Sequence, residues 1–426
     1  MSAALAIQAK QIASRAQTTQ LGQGAILTNP RGLRRFRAAL GDALFSPVHI
    51  GCYGDSITEG VGTENASSIP NTPVADRDGW PGQIRAALAR RFGTFGGGAI
   101  LPFFSGTDSR VTLTGSVTAD NGLGPCVRGG RVRTDRSMAF TLPSCTAFDI
   151  IYWAGGSADG TLIGGFEYST DGGSTWTTGL AGGVNASPGF RILKVTGLAD
   201  AVRTVTIRGL HATNLQHVTG VRYHNSQGVV VSRWGRAGWT VLDTLAIGEG
   251  TRNSAAVNIA YARERMLAMF GGFQEHLTVI SLGENDANLQ LVPMGGGTGG
   301  EAIGPLYTTP DTYETCLRQI VSRVVAAGGC ALLLNTALRP VGAVPAGGQS
   351  YYAYHQAARR IAGDTDHVAH LSMADRWGRD GDISAAESLA LGMFSSSTSV
   401  HPSRRGYGDM ANALLQTLLR QDLISG

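Results

Sequence analysis

Short apolar runs alternate with amphipathic segments along most of the chain. The runs typical of buried strands are 48–53, 228–232, 277–282, 330–335 and 368–371. The segments with apolar residues at helical spacing are 33–44, 80–92, 254–270, 311–327, 350–362 and 406–421. Strands that alternate with helices of this length predict a mostly parallel sheet covered by helices on both faces.

Residues 101–224 have a different pattern, in which polar and apolar residues alternate over short stretches separated by turn residues. These stretches are 110–114, 138–142, 149–153, 165–169, 190–195 and 202–207. Their length and spacing predict an antiparallel β-sandwich inserted into the α/β framework. The predicted framework is therefore discontinuous, at 36–100 and 225–426, and residues 1–35 are predicted to form an N-terminal helical arm.

Composition agrees with a folded, turn-rich protein. The chain has 426 residues, of which 42% are hydrophobic, 15% are charged and 60 are glycine. An average soluble protein has about 25% charged residues. The net charge of +4 is spread along the chain except for the short arginine cluster at 31–37. A nucleic-acid partner normally requires a larger basic face, so none is predicted.

Cysteine usage and hydropathy exclude several further classes. The five cysteines show no CxxC spacing, which argues against a zinc site, although a Cys126–Cys145 disulfide is left open. No apolar run approaches the roughly 20 residues needed to span a bilayer, and residues 1–17 lack the pattern of a secretory signal. We therefore expect a soluble protein, either cytoplasmic or virion-associated, or exported by another route. The arm is a candidate element for homo-oligomer or virion assembly.

Polar residues with chemical potential follow the predicted framework strands. Gly54-Asp55-Ser56 follows the first strand, Gly283-Glu284-Asn285-Asp286 follows a later one, and His401 precedes the terminal helix. The carboxyl ends of parallel strands are where α/β proteins bind ligands. Each motif also has a structural interpretation, with Ser56 or Asn285 capping a helix and His401 lying in a surface turn. Together they suggest a serine nucleophile, a base and an oxyanion donor.

With Gly238, which follows the second framework strand, they make four blocks whose order resembles that of the SGNH (GDSL-type) hydrolases over about 36–100 and 225–426. The resemblance implies a flavodoxin-like three-layer α/β/α sandwich and ester hydrolysis through an acyl-enzyme, with no metal or cofactor. It implies that Ser56 is the nucleophile and His401 the general base. The oxyanion would be held by the backbone N–H of Ser56, the backbone N–H of Gly238 and the side-chain amide of Asn285.

The sequence departs from the family at one position. The family's acid lies three residues before the histidine, where this chain has Thr398. Disabling that acid in a model serine hydrolase costs about 10⁴ in rate. A Ser-His dyad, a weakened enzyme and an acid supplied from elsewhere all remain open. Candidates for that acid are Asp375, Asp380 and Asp382.

The predicted insert contains one sharper motif. Residues 169–176 fit the S-x-D-x-G-x-T-W pattern of an Asp-box, which a hairpin turn explains without any glycosidase function. The aromatic residues Tyr152, Trp153, Tyr168 and Trp176 form either part of a core or a carbohydrate-binding surface.

The favoured function is an esterase that removes small acyl groups, O-acetyl groups in particular, from a polysaccharide or cell-envelope glycan. This choice of substrate follows from the resemblance to carbohydrate O-acetyl esterases with an inserted β domain. One alternative is an acyl hydrolase of the lipase or thioesterase type. The other is a weakened, glycan-binding or structural protein of the phage-tail kind, which the missing acid favours.

Overall fold

The computed structural model describes most of the chain outside its first 26 residues. The described residues are 27–63, 72–92, 96–102, 108–117, 119–120, 129–154, 164–182, 189–237, 239–244, 267–288, 308–335, 351–377, 390, 392–394 and 401–419. Their strands are β1 Leu27–Thr28, β2 Pro47–Gly54, β3 Gly98–Ile100, β4 Val111–Thr114, β5 Ala119–Asp120, β6 Gly129–Val132, β7 Ser137–Cys145, β8 Ala147–Ala154, β9 Phe166–Ser169, β10 Thr177–Leu180, β11 Gly189–Val195, β12 Ala201–Gly209, β13 Gln216–His224, β14 Gly228–Gly235, β15 Leu277–Ser281, β16 Cys330–Asn335 and β17 Val368–Ser372. Their helices are α1 Arg34–Gly41, α2 Ser56–Glu59, α3 Thr72–Asp78, α4 Trp80–Phe92, α5 Val241–Thr244, α6 Met269–Gly272, α7 Glu284–Asn288, α8 Pro310–Ala326, α9 Tyr352–Asp364, α10 Ala374–Trp377 and α11 Arg404–Leu419, with 3₁₀ turns at Pro30–Leu33 and Asp42–Leu44.

A six-stranded sheet forms the centre of the framework, in the order β1-β17-β16-β15-β2-β14. All its pairings are parallel except that of β1 with β17. Without β1, the order is the 2-1-3-4-5 arrangement of flavodoxin-like folds. The strands are almost entirely buried, as expected for parallel strands covered on both faces. This order places β2, which leads to Ser56, between β14 and β15.

Helices cover the sheet in two packed groups. Helix α4 packs against α11 and on β14, whereas α8 packs against α9, which contacts β17. Helix α8 begins after Thr309, whose side chain accepts a hydrogen bond from the Thr312 N–H, and Pro310 occupies its first position. Both features favour a helix start. The sequence predicted this helix, α4, α9 and α11 to within a few residues, whereas most of the predicted helix at 254–270 lies outside the described residues.

Two antiparallel sheets make up the part between β3 and β13. One has the order β10-β9-β12-β7-β4, and the other has the order β11-β8-β13-β6-β5, with β3 pairing with β13. Most of their buried apolar residues form a second core cluster, distinct from that of the framework. In β7, for example, Met138, Phe140 and Leu142 are buried in this cluster. The six stretches predicted as strands in this region all overlap observed strands.

The second of these sheets also contacts the framework. Strand β8 is buried along its whole length because its faces contact different cores: Ile150 and Tyr152 belong to the second cluster, and Ile151 and Trp153 to the framework cluster. Tyr152 and Trp153 are therefore core residues and do not form an exposed aromatic surface. Trp176 lies under the Arg208 guanidinium, whose carbon is 3.8 Å from the ring centroid.

One sequence expectation needs correction. The predicted arm, 1–35, extends too far, because Leu27–Thr28 pairs with β17 and the Asn29 side chain donates to the carbonyls of Ala362 and Val368. Residues 27–35 therefore belong to the framework, while 1–26 lie outside the described residues. Cys145 is a free, buried cysteine, while Cys126, the partner that the sequence left open, lies outside the described residues.

A buried ion pair links β8 and β13. The Arg222 guanidinium donates to Asp149 at 2.8 and 2.6 Å and to the Phe273 carbonyl at 3.1 Å. Burial opposes ionisation of Asp149, but the hydrogen bond with His224 and the charge of Arg222 hold its pKa below the usual value. The pair therefore binds one antiparallel sheet to the segment that precedes β15.

We expect Asp149→Ala to lower the free energy of unfolding by about 3–5 kcal/mol, because it leaves Arg222 charged and buried without its partner. Urea denaturation measures this change. The matched control is Asp135→Ala, which removes an exposed partner of Arg133 and should change stability by less than about 1 kcal/mol. Similar losses in both variants would contradict the role assigned to the buried pair.

Candidate active site

Ser56 begins a one-turn helix directly after the central strand β2. The Asp55 carboxylate caps this helix by accepting a hydrogen bond from the Ile57 N–H at 2.9 Å. Gly54 is required immediately before it, because a Cβ there would overlap the Ser281 carbonyl oxygen and the Thr58 hydroxyl. This packing fixes Ser56 at the carboxyl edge of the sheet, where Ser56 is only 7% exposed.

His401 meets Ser56 from the other end of the sequence. Its Nε2 lies 2.8 Å from the Ser56 Oγ. The segment after it is fixed by Ser403, whose backbone N–H donates to the Met393 carbonyl at 2.8 Å and whose hydroxyl accepts from the Gly406 N–H at 3.2 Å. The structure thus brings together the two residues that the sequence suggested as nucleophile and base.

The protonation of His401 suits a base. Burial lowers the pKa of its imidazole below the usual 6.5, because the charged form loses solvation. In the tautomer that carries its proton on Nδ1, the neutral imidazole accepts a hydrogen bond from the Ser56 hydroxyl through Nε2. The pair can therefore transfer a proton from Ser56 to His401 when Ser56 attacks an electrophile.

Asn285 lies in α7, just beyond the carboxyl end of β15. Its side-chain amide donates to the Trp239 carbonyl at 2.9 Å. The neighbouring Asp286 carboxylate accepts from the Val241 N–H at 3.1 and 3.2 Å. These hydrogen bonds connect the Gly283-Glu284-Asn285-Asp286 block to the loop that follows β14. One amide hydrogen of Asn285 is used in this contact.

The remaining candidates fall largely outside the described part of the chain. Gly238, Thr398, Asp380 and Asp382 are not among the described residues. The backbone of Asp375 lies in α10, but its side chain is also outside what the structure describes. The choice of an oxyanion glycine and of the group that orients His401 therefore stays a prediction.

Sequence reasoning missed several buried acids around the site. Glu59 accepts a hydrogen bond from the Ala237 N–H at 2.6 Å. Burial raises the pKa of Asp55 well above its usual value, and the nearby Glu284 and Asp286 raise it further. The sequence did contain a signal for these acids, because carboxylates are concentrated in the two motifs that follow apolar runs. Charged side chains are seldom buried without partners, so such acids can be expected to have them.

Neither a metal site nor a membrane-spanning helix is found where the structure is described. The described residues contain no group of three or more His, Cys, Asp or Glu side chains arranged to hold a metal ion. Among the described helices, none is long and apolar enough to cross a membrane.

Comparisons with known proteins place the fold. No protein-family model and no curated protein matches the sequence. Among solved structures, one of a peptidoglycan O-acetylesterase is 16% identical with a TM-score of 0.60, and the match covers 92% of this chain and 98% of that one. An acetylxylan esterase from Geobacillus stearothermophilus, solved as a catalytic mutant, is also 16% identical, with a TM-score of 0.26 over 46% of this chain and 74% of its own. The second score is too low to support a conclusion.

The match to the peptidoglycan O-acetylesterase structure covers nearly the whole of both chains. It agrees with the order of the parallel strands in the central sheet. The chain therefore shares the fold of the solved peptidoglycan O-acetylesterase structure over most of its length. At this level of identity the similarity establishes the fold, and the chemistry must be argued from the residues of the site.

We expect an NMR titration of the His401 ring to give a pKa below 6.5, because burial disfavours the imidazolium ion. The folded protein should therefore hold His401 mostly neutral at pH 6.5, where an exposed histidine is about half protonated. The same titration of Ser56→Ala should also stay below 6.5, since burial and not the serine causes the shift. A midpoint at or above 6.5 in the unmodified protein would contradict this interpretation.

Proposed function

We propose that the protein is a serine esterase that hydrolyses small acyl esters, O-acetyl groups in particular, on a polysaccharide or cell-envelope glycan. The observation that carries the proposal is the 2.8 Å hydrogen bond between Ser56 and His401 at the carboxyl edge of the sheet. Asn285 and the loop after β14 flank the same edge. These are the parts that acyl transfer to a serine requires.

In the proposed mechanism, the Ser56 Oγ attacks the ester carbonyl carbon while His401 Nε2 takes the hydroxyl proton. The oxyanion that forms accepts hydrogen bonds from the Ser56 N–H, the Gly238 N–H and the Asn285 amide. The tetrahedral intermediate collapses as His401 returns the proton to the leaving sugar oxygen, which releases the alcohol. Water then attacks the acyl-enzyme with His401 again as the base, and the acid and free Ser56 are released.

The choice of a glycan substrate is supported by the fold shared with a peptidoglycan O-acetylesterase. We assign the hydrolase domain to 36–100 and 225–426, with residues 27–35 added from the structure. We further propose that 101–224 form an inserted β-sandwich domain, supported by its separate core cluster. Activity confined to long-chain esters, with no acetate released from acetylated peptidoglycan or xylan, would instead favour a lipase or thioesterase.

The threonine at 398 supports a second candidate, a catalytically weakened glycan-binding or structural protein. The two differ in the reactivity of Ser56, because an activated serine reacts with a fluorophosphonate probe and a decayed site does not. Labelling that requires both Ser56 and His401 would support the esterase. An unlabelled protein that still binds an acetylated glycan would support the weakened alternative.

We expect Ser56→Ala to lower kcat for p-nitrophenyl acetate by at least about 10³-fold, because the covalent step is lost. Steady-state hydrolysis with acetate detection measures the effect. The matched control is Ser46→Ala, an exposed serine just before the amino end of the same strand, which should retain full activity. The proposed role of Ser56 is wrong if its variant hydrolyses the ester as fast as the unmodified protein.

A further inference from the structure

The loop that follows β14 is held by two parts of the proposed site. The Ala237 N–H donates to the Glu59 carboxylate at 2.6 Å. Two residues later, the Trp239 carbonyl accepts from the Asn285 amide at 2.9 Å. The Trp239 N–H donates to the Arg236 carbonyl at 3.3 Å, which closes a turn over 236–239. Glu59 and Asn285 therefore hold one short turn from two sides.

Glu59 is placed for this contact by the packing of its helix. It is the last residue of α2, whose first residue is Ser56, and it is only 1% exposed. Gly235, at the end of β14, lies so close to α2 that a Cβ there would overlap the Glu59 backbone nitrogen. A carboxylate in such a buried place is costly unless it is hydrogen-bonded. The Ala237 N–H meets part of this need, and the hydrogen bond joins the turn to the nucleophile helix.

We infer that Glu59 is a positioning residue, whose carboxylate holds the 236–239 turn against α2 and, through the Trp239 carbonyl, fixes the Asn285 amide relative to Ser56. The inference rests on the function proposed above, in which Asn285 and Gly238 donate to the oxyanion. Such donors must lie about 2.7–3.1 Å from the oxyanion. A displacement of about 1 Å costs up to about 10²-fold in rate.

A buried charge network extends from this contact to the antiparallel sheets. Arg233 donates to the backbone carbonyl of Glu59, and its Nε lies 3.8 Å from the Asp76 carboxylate. Asp76 also pairs with Arg85 at 3.2 Å and with Arg110 at 2.9 Å. Arg110 directly precedes β4. The backbone of Glu59 is thus held by a network that spans the framework and the neighbouring sheet.

The test compares Glu59→Ala, which removes the acceptor, with Glu59→Gln, which keeps an acceptor oxygen in its place. For p-nitrophenyl acetate, Glu59→Ala should lower kcat by about 10–10²-fold, with KM changed by less than about twofold. Glu59→Gln should keep kcat within about threefold. If Glu59→Ala folds poorly, Glu59→Asp is the second variant. Its side chain is shorter by one methylene, so its carboxylate lies farther from the Ala237 N–H and kcat should fall by a factor between those of Glu59→Gln and Glu59→Ala.

Hydrogen exchange supplies a readout that does not depend on catalysis. The backbone amides of 236–241 should exchange faster in Glu59→Ala than in the unmodified protein or in Glu59→Gln. The matched control is Glu275→Ala, which removes another buried carboxylate that accepts from the Trp234 indole at 2.8 Å, next to the amino end of β15. It should lower thermal stability without changing kcat or the exchange of the turn.

The outcomes separate the inference from the proposed function. If the unmodified protein hydrolyses no ester, the proposed function fails. Independently, unchanged hydrogen exchange of 236–241 in Glu59→Ala would show that Glu59 does not hold the turn, and would overturn the inference. If Ser56→Ala is inactive but Glu59→Ala keeps the unmodified kcat, only the positioning role is wrong. An equal loss of kcat in Glu275→Ala would also overturn it, because the loss would then follow from general destabilisation.

Discussion

The site depends on the close approach of three backbone segments at the carboxyl edge of the central sheet. The Arg236 N–H donates to the Gly54 carbonyl at 2.9 Å, and a side chain at either Gly54 or Gly235 would overlap atoms of α2. Protein interiors of this density do not deform smoothly, so α2 cannot shift without moving the ends of its neighbouring strands. Ser56, at the start of α2, is fixed by the same packing.

Polar side chains around this point form hydrogen bonds with the backbone. Glu59 accepts from the Ala237 N–H, Asp286 accepts from the Val241 N–H, and Asn285 donates to the Trp239 carbonyl. Each of these side chains would be costly to bury without a partner. Together these three hydrogen bonds connect the described part of the loop after β14 to α2 and α7. The acids near the site therefore help to fix the position of this loop.

Much of the fold and of the candidate site was predictable from the sequence. Hydrophobic periodicity, and the rule that ligands bind at the carboxyl ends of parallel strands, both depend on local sequence. The run Cys330–Asn335 was predicted to the residue, and the rule for parallel strands brought Ser56 and His401 to one edge. Strand β13 was missed because Arg222 and His224 interrupt its apolar pattern, and their burial depends on hydrogen bonds to Asp149, a partner distant in sequence. The contact of Glu59 with Ala237 was unpredictable for the same reason, since it depends on how two segments pack.

The strength of the proposed base depends on two opposing effects of burial. Burial favours the neutral form of His401, which can accept the Ser56 proton, but it also opposes the imidazolium ion that this transfer creates. In a triad, a carboxylate offsets that cost, whereas the hydroxyl of Thr398 has no charge to contribute. The cost matters most when the leaving group must be protonated by the imidazolium, as a sugar alkoxide must, and least for an acidic phenol. The demand on the group that orients His401 is therefore set mainly by the alcohol released and much less by the acyl group transferred.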